Sequence, residues 1–250
     1  MRIVATCRAR DNEAIIERFC MAYQDIADLI LVADGGSTDR TVEIAQAMPK
    51  TKVLHFEERI QVGGGLWINP QGAHMNFLID HARDEGADWI IFDDSDCVPN
   101  FLLCWQARMR FEWADYEEHQ AVFARRVYFW GEDQIFPKMH EPNTSIWAWQ
   151  RNAPIRGGMT DQWHLHVEGA HDIREKSAHL EFPYCLLHYS WPSEEAAAAK
   201  INWYHQTGVQ PTAQHPLDFA GPLEGAEWFM REKPPITRSK LSGLHTETKS

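Results

Sequence analysis

No apolar run in this 250-residue chain approaches the roughly 20 residues needed to cross a bilayer, so no membrane span is expected. The opening stretch Met1–Arg8 alternates like a strand and lacks the apolar core of a secretory leader, which makes the cytoplasm the expected compartment. Basic charge is also short: 24 Lys and Arg stand against 36 Asp and Glu, a net charge of −12. A chain so acidic is poorly suited to tracking a polyanion, and no nucleic acid partner is expected. The five cysteines (Cys7, Cys20, Cys97, Cys104 and Cys185) are odd in number and scattered, with no Cys-x-x-Cys pair. They read as reduced and mostly buried thiols, not as a disulfide framework. Neither Gly-x-Gly-x-x-Gly nor Gly-Lys-Ser/Thr occurs, which removes the dinucleotide fingerprint and the Walker loop. His164, His166, His171 and His179 cluster, but no His-x-x-x-His pair flanks a glutamate as zinc hydrolases require. Partly protonated near neutral pH, these histidines are expected to help an anionic substrate bind.

What is present points to a globular α/β protein. Hydrophobic residues make up 44% of the chain, ample for a core. Ile3–Thr6, Leu29–Ala33, Lys52–Phe56 and Ile90–Phe92 read as strands. Between them lie amphipathic helices. Asp11 or Asn12 is a candidate cap for the first, with Ile15, Ile16, Phe19 and Tyr23 on one face, and Ser37 or Thr38 for the second, with Val42, Ile44, Ala45 and Met48. Gln71–Glu85 leads as a helix into the Ile90 strand, after a loop at Gly63-Gly64-Gly65. This alternation predicts a doubly wound, mainly parallel sheet with helices on both faces.

Two of the strands run into acids. Leu29–Ala33 ends at Asp34-Gly35-Gly36-Ser37-Thr38-Asp39, and Ile90–Phe92 at Asp93-Asp94-Ser95-Asp96-Cys97-Val98-Pro99. Pro99 forbids the latter from continuing as a central strand. Carboxylates at the carboxyl ends of parallel strands sit where open α/β sheets bind ligands. Their mutual repulsion calls for a cation, and a hard divalent ion shared with substrate phosphates satisfies it.

Residues 3–100 resemble a family-2 glycosyltransferase of the GT-A type. The matching pieces are Arg8-Ala9-Arg10-Asp11-Asn12-Glu13 after the opening strand, then Val32-Ala33-Asp34-Gly35-Gly36-Ser37-Thr38-Asp39, then Asp94-Ser95-Asp96. The family writes two adjacent acids before the glycine of the second piece. Here Gly35 takes the second place, so only Asp34 carries over. The resemblance implies a nucleotide-sugar site in which Thr6, Arg8 and Asp34 lie near the base and ribose, with Glu13 a neighbour. Asp94 would face the ribose or a metal-bound water, and Asp96 would ligate Mn²⁺ or Mg²⁺ bridging the diphosphate. His74 stands close to the place of an Arg or Lys that many members carry in the helix before this strand. Asp93 is expected to face inward. Leu187-His188-Tyr189-Ser190, followed by Lys200 and Tyr204, is similar to the family segment whose histidine completes the metal site, so the implied metal set is Asp94, Asp96 and His188.

The second half is sparser. Phe101–Glu118 reads as a helix whose apolar positions are Phe101, Leu102, Trp105, Met109 and Trp113. Val122–Trp130 and Asn143–Gln150 read as strands, Ala153–Gly158 as a loop, and His164–Glu168 alternates. Cys185–Trp191 reads as a short strand, followed by an Ala-rich helix over Glu194–Gln206 with Ser193 as its cap, and a loose tail from Pro234. A base for the acceptor hydroxyl should be a carboxylate here. His166-Val167-Glu168 is similar to a His-Glu segment in related transferases, which makes Glu168 the first candidate and Asp172 the second, with Asp161 and Asp133 also in this half. Trp130, Trp147, Trp149 and Trp163 are candidates for an acceptor groove.

The expected organisation is one continuous domain: a nucleotide-sugar half over 1–105, an acceptor and catalytic half over 106–192, and a C-terminal helix and tail over 193–250. The expected activity is metal-dependent, inverting transfer of a sugar from a nucleotide-diphosphate sugar, a UDP-sugar first, to a saccharide or lipid-linked hydroxyl. The alternatives are a nucleotidyltransferase and a non-catalytic sugar-nucleotide-binding module. The first lacks its Gly-rich basic loop near the N-terminus, and the second does not need intact acids.

Overall fold

The structure is a computed structural model that describes residues 1–62, 65–130, 134–135, 144–159, 165–191 and 202. In chain order its elements are β1 (Ile3–Ala9), α1 (Ile16–Tyr23), β2 (Leu29–Asp34), α2 (Thr41–Ala47), β3 (Thr51–His55), β4 (Ile60–Gln61), β5 (Trp67–Ile68), α3 (Gln71–Asp84), β6 (Trp89–Asp94) and β7 (Cys97–Pro99). There follow α4 (Phe101–Tyr116), β8 (Ala121–Trp130), β9 (Gln134–Ile135), β10 (Thr144–Gln150), β11 (Arg156–Met159), β12 (Leu165–Glu168) and β13 (Ser177–Trp191).

The main sheet runs β3-β2-β1-β6-β10-β8-β13-β7, with β9 beside β8. β1, β2, β3 and β6 are mutually parallel, and the near-continuous apolar runs of β1, β2 and β6 suit strands covered on both faces. β10 enters antiparallel between β6 and β8, so the sheet passes without a break from the first half of the chain into the second. β8 and β13 again run parallel to β6. Chain reversal at Ser95-Asp96 sends β7 to the far edge, antiparallel to β13. Pro99 therefore ends on an edge strand, where its missing N–H costs no ladder bond.

Two cores flank the sheet. α1, α2 and α4 pack on Ala5, Cys7, Ile30, Val32, Trp89 and Ile91. α3 and the β11–β12 hairpin cover Val4, Leu31, Ala33, Ile90 and Phe92 through Met75, Leu78, Ile79, Ala82 and Ile155. The hairpin is pinned to α3 by Asn76, which donates to the Gly157 carbonyl and accepts from its amide, both at 2.8 Å. A Cβ on Gly157 would come within 2.6 Å of the Gly72 carbonyl oxygen, so only glycine allows the approach.

Several local expectations are corrected. Neither Asp11 nor Asn12 caps α1 with its side chain. The Asn12 carbonyl accepts from the amides of Ile15 (3.0 Å) and Ile16 (2.9 Å), forming a turn that leads into the helix. Ser37 and Thr38 do not cap α2 either. Arg40 holds the cap position without a side-chain cap bond, and Asp39 just before it accepts from the Thr41 amide at 3.0 Å. Residues 156–158 belong to β11 rather than to a loop. β13 is fifteen residues long, not seven, because it absorbs Pro183 in a bulge between Leu180 and Cys185. Trp147 and Trp149 are fully buried and belong to the core, so they line no groove.

α4 forms where expected, capped by Asn100, whose side chain accepts from the Leu103 amide at 2.9 Å. Its inward face is the other one. Leu103, Ala107, Phe111 and Ala114 are buried, whereas Phe101, Trp105, Met109 and Trp113 are exposed. Small Ala107 and Ala114 let the helix approach the sheet, and Phe111 fits between Trp89 and Trp147, with both ring-centre distances 5.3 Å.

Candidate active site

Strand register collects the acids. β1 is paired so that Arg8 lies opposite Asp94 and Ala9 opposite Asp34, which brings the ends of β2, β1 and β6 to one edge of the sheet. Arg8 Nη2 donates to Asp94 Oδ1 at 2.5 Å, and its guanidinium lies 5.5 Å from the Phe92 ring centre. Burial and nearby Asp96 push the Asp94 carboxyl up, but Arg8 and Arg126 outweigh them, and it lies below the usual aspartate range.

Across the Ser95-Asp96 turn, His188 at the upper end of β13 brings Nε2 to 3.2 Å from Asp96 Oδ1. The Tyr189 amide donates to the Asp96 carbonyl at 2.8 Å, locking the turn to β13. Among the described residues the buried Nδ1 of His188 and Nε of both Arg8 and Arg126 have no hydrogen-bond partner. Buried polar atoms without partners are uncommon in folded proteins, and these three belong to side chains of β1, β8 and β13. Among the described residues no three His, Cys, Asp or Glu side chains converge tightly enough to hold an ion alone. The oxygen–nitrogen pair of Asp96 and His188 fits Mn²⁺ or Mg²⁺ as part of a shell that substrate phosphate and water complete.

Asp93 faces the opposite side of β6, inward as expected. It is fully buried, accepting from Tyr23 Oη at 2.5 Å and from Arg126 Nη2 at 3.0 Å, while Trp147 Nε1 donates to Tyr23 Oη at 3.1 Å. Burial pushes its carboxyl up to about 6 against the pull of Arg126 and Tyr23. Arg126 escaped the sequence reading because nothing local marks it. Its partner lies 33 residues away.

The Asp34 turn is self-contained. Asp34 accepts from the Gly36 amide (3.1 Å), the Ser37 amide (3.0 Å) and the Ser37 hydroxyl (2.5 Å). Gly36 has φ 89°, a backbone that favours glycine. A Cβ on Gly35 would sit 2.3 Å from Asn69 Oδ1, and one on Gly36 2.2 Å from Arg59 Nη2. The Asn69 side chain thus occupies the space that a side chain at position 35 would enter. Asn12 ties three loops together, with its amide on Thr41 Oγ1 (2.6 Å) and its Oδ1 accepting from Ser95 Oγ (3.1 Å) and the Arg10 amide (3.0 Å).

The other expected site residues fall differently. Thr6 is corrected: it is fully buried, its hydroxyl donated to the Ile91 carbonyl at 2.8 Å, so it braces the sheet and offers no ligand surface. His74 lies beneath the edge, with Nε2 2.9 Å from the Ala33 carbonyl and its ring stacked 4.2 Å from Phe56. Burial, then Arg8, lower its pKa to about 4, so the ring is neutral. Glu13 is exposed and accepts from the Arg40 amide at 3.1 Å. Glu168 is exposed on β12, its carboxylate against Gly158, which itself lies on Gly72 in the first turn of α3.

Asp172 is corrected as a base. It precedes the start of β13, and Ser177 pairs with Ala121 at the opposite end of the sheet from His188, which pairs with Tyr128. Seven residues of β8 separate those levels, roughly 20 Å, whereas a base must reach its proton within hydrogen-bond distance. His171 lies beside Asp172, with Nδ1 3.9 Å from its Oδ1, and His179 stands opposite Phe123 with Nε2 3.2 Å from the Arg174 carbonyl oxygen. Asp133, Asp161, Trp163, His164, the side chains of Trp130 and His166, the expected Glu194–Gln206 helix apart from Asn202, and the tail lie outside the described residues.

No curated protein sequence matches the chain. Among solved structures it is similar to residues 1–349 of Staphylococcus aureus TarS, at 13% identity and TM-score 0.52, covering 100% of this chain and 76% of that one. It is also similar to glucosyl-3-phosphoglycerate synthase from Mycobacterium tuberculosis, solved with Mg²⁺ and uridine diphosphate, at 17% identity and TM-score 0.48, covering 89% and 88%. The first likeness shows a shared fold. The family model for glycosyl transferase family 2 matches residues 13–173, a span that holds the Asp34 turn, the Asp94-Ser95-Asp96 strand end, Arg126 and Glu168. With that span covering more than half of the chain, the protein belongs to glycosyltransferase family 2 and is a glycosyltransferase.

Proposed function

We propose that the protein catalyses metal-dependent, inverting transfer of a sugar from a nucleotide-diphosphate sugar, a UDP-sugar first, to a hydroxyl of a saccharide or lipid-linked acceptor in the cytoplasm. The observation that carries this reading is the meeting of two pairs, Arg8–Asp94 and Asp96–His188, on the carboxyl edge of the sheet. Asp96 and His188 are the residues that would hold Mn²⁺ or Mg²⁺, which supplies neutralisation of the departing diphosphate. Asp94, held ionised by Arg8, accepts a ribose hydroxyl. Arg8 and Arg126 present their spare donors to anionic oxygens. The Asp34 turn and His74 shape the wall beside the base, His74 acting through the Ala33 carbonyl. Glu168 is the proposed base. The acceptor oxygen forms its bond to the anomeric carbon, the bond to the diphosphate breaks, and the hydroxyl proton passes to the Glu168 carboxylate.

Thermal-shift measurements with UDP, GDP, dTDP and CMP, each with and without Mn²⁺, test the assignment. A ligand at about 100 times its Kd raises native stability by about 2.7 kcal/mol. UDP with Mn²⁺ is expected to give the largest shift, and Asp96→Ala to abolish its metal-dependent part. A full shift in Asp96→Ala removes Asp96 from the metal site. No shift with any of the four nucleotides overturns the reading. Glu168→Gln should retain the shift and lose transfer. Full transfer in that variant removes Glu168 as the base.

A further inference from the structure

Seven large apolar side chains are exposed among the described residues, and five of them lie on α4: Phe101, Trp105, Met109, Trp113 and Tyr116. They follow one another at intervals of four, four, four and three residues, which aligns them in a single ridge along the helix. Each is between 45% and 83% exposed. The opposite face of α4 already supplies the core contacts, so the fold does not need this ridge. Aromatic side chains of this size carry 150–250 Å² each, so the ridge presents on the order of 500 Å² of apolar surface. That is close to the upper limit for a patch on a monomer. It is also most of the roughly 800 Å² that each partner contributes to a stable interface.

We propose that this ridge is the two-fold interface of a homodimer, with α4 packed antiparallel against α4 of a second copy. Charge along the helix selects this occupant. Arg108 and Arg110 close its first ten residues, while Glu112, Asp115, Glu117 and Glu118 crowd its end. Parallel pairing would set four acids against four acids. Antiparallel pairing sets them beside the helix N-terminus of the second copy, where the macrodipole is positive. Arg108 and Glu112, one turn apart, lie on the same flank of the ridge. Arg108 is held there by its ion pair with Asp28. About a two-fold axis near residue 110, Arg108 meets Glu112 of the second copy, and symmetry repeats the pair. A bilayer is the poorer fit. Membrane-surface helices carry Lys and Arg along their polar flanks, and the acids of α4, on a chain of net charge −12, repel anionic lipid.

Sedimentation equilibrium of the full chain tests the proposal. The wild type is expected to be a dimer at micromolar concentration. Trp105→Glu/Met109→Glu should weaken dimerisation by about 100-fold or more, with an unchanged far-UV circular dichroism spectrum. Glu112→Arg, which leaves the Arg108–Asp28 pair intact, should weaken it by about tenfold through repulsion from Arg108 of the second copy, and undiminished dimerisation in that variant overturns the antiparallel register. A monomeric wild type, or a dimer that survives Trp105→Glu/Met109→Glu, overturns the interface. A monomeric wild type that cosediments with phosphatidylcholine vesicles through Trp105 assigns the ridge to lipid. A monomer whose ridge tryptophans resist quenching until residues 193–250 are removed assigns it to the chain's own C-terminal segment.

Discussion

Arg126 donates to the buried carboxylate of Asp93 at 3.0 Å, and this bond joins β8 to the acid-bearing end of β6. Asp93 has no exposed surface, so its charge depends on Arg126 and on Tyr23. Removing one member of a buried pair strands the other in a medium that cannot solvate it. Arg126→Ala should therefore destabilise the fold by about 3 kcal/mol in urea titration. Asp93→Asn should cost less, because Arg126 retains Asp94 nearby.

Arg8 acts on the site more than on the fold. Its partner Asp94 is 37% exposed on its side chain, so solvent screens much of the pair's contribution to stability. Arg8→Ala should leave the melting temperature within a few degrees of wild type. Transfer should fall by about 100-fold, and Arg8→Lys should recover only part of it, since a lysine cannot reproduce the guanidinium geometry. Steady-state kinetics alongside thermal melts separates the two effects.

Asn69 fills the space that a second acid would take beside Asp34. Gly35→Asp should destabilise the protein by about 1–3 kcal/mol through that collision. Gly35→Asp/Asn69→Gly should recover most of the loss. Melting temperatures of the two variants provide the check, and equal losses in both would locate the strain elsewhere.

Acid should weaken the fold through His74. Its folded pKa is lowered to about 4, below the ordinary histidine value. Above about pH 6.5 the ring is neutral in both states and contributes nothing to the pH dependence. Below it the unfolded chain gains a proton that the folded one refuses, so stability is lost as pH falls toward 4. At pH 5 the loss should be about 2 kcal/mol. His74→Gln should flatten this part of the profile in urea titrations between pH 7 and pH 5.

The first hundred residues were largely legible because Leu29–Ala33 and Ile90–Phe92 are short apolar runs that end in acids, with amphipathic helical stretches between the strands. Period and punctuation are local signals. α4 was legible as a helix but not in orientation, since Phe101-Trp105-Met109-Trp113 and Leu103-Ala107-Phe111-Ala114 are both helical stripes. Apolar character marked the first, together with Leu102, and closeness to the sheet selected the second. Thr6 was implied as a ligand contact by the family resemblance, together with Arg8. It sits two residues further from the edge, and that distance buries it. The partners of Asp93 were invisible for a different reason. Tyr23 and Arg126 are 70 and 33 residues distant, and only the folded sheet brings them together. Pro183 hid half of β13, because a bulge that tolerates proline has no period-two signature.

Asn12 joins the loops that follow β1, β2 and β6 through its own amide and side-chain oxygen. The spacing of those loops is therefore shared property: adding or deleting a residue in one displaces the anchor points of the other two. Diversification of donor preference on this scaffold should proceed by exchange of side chains along the rim, with the lengths of the three connections held fixed.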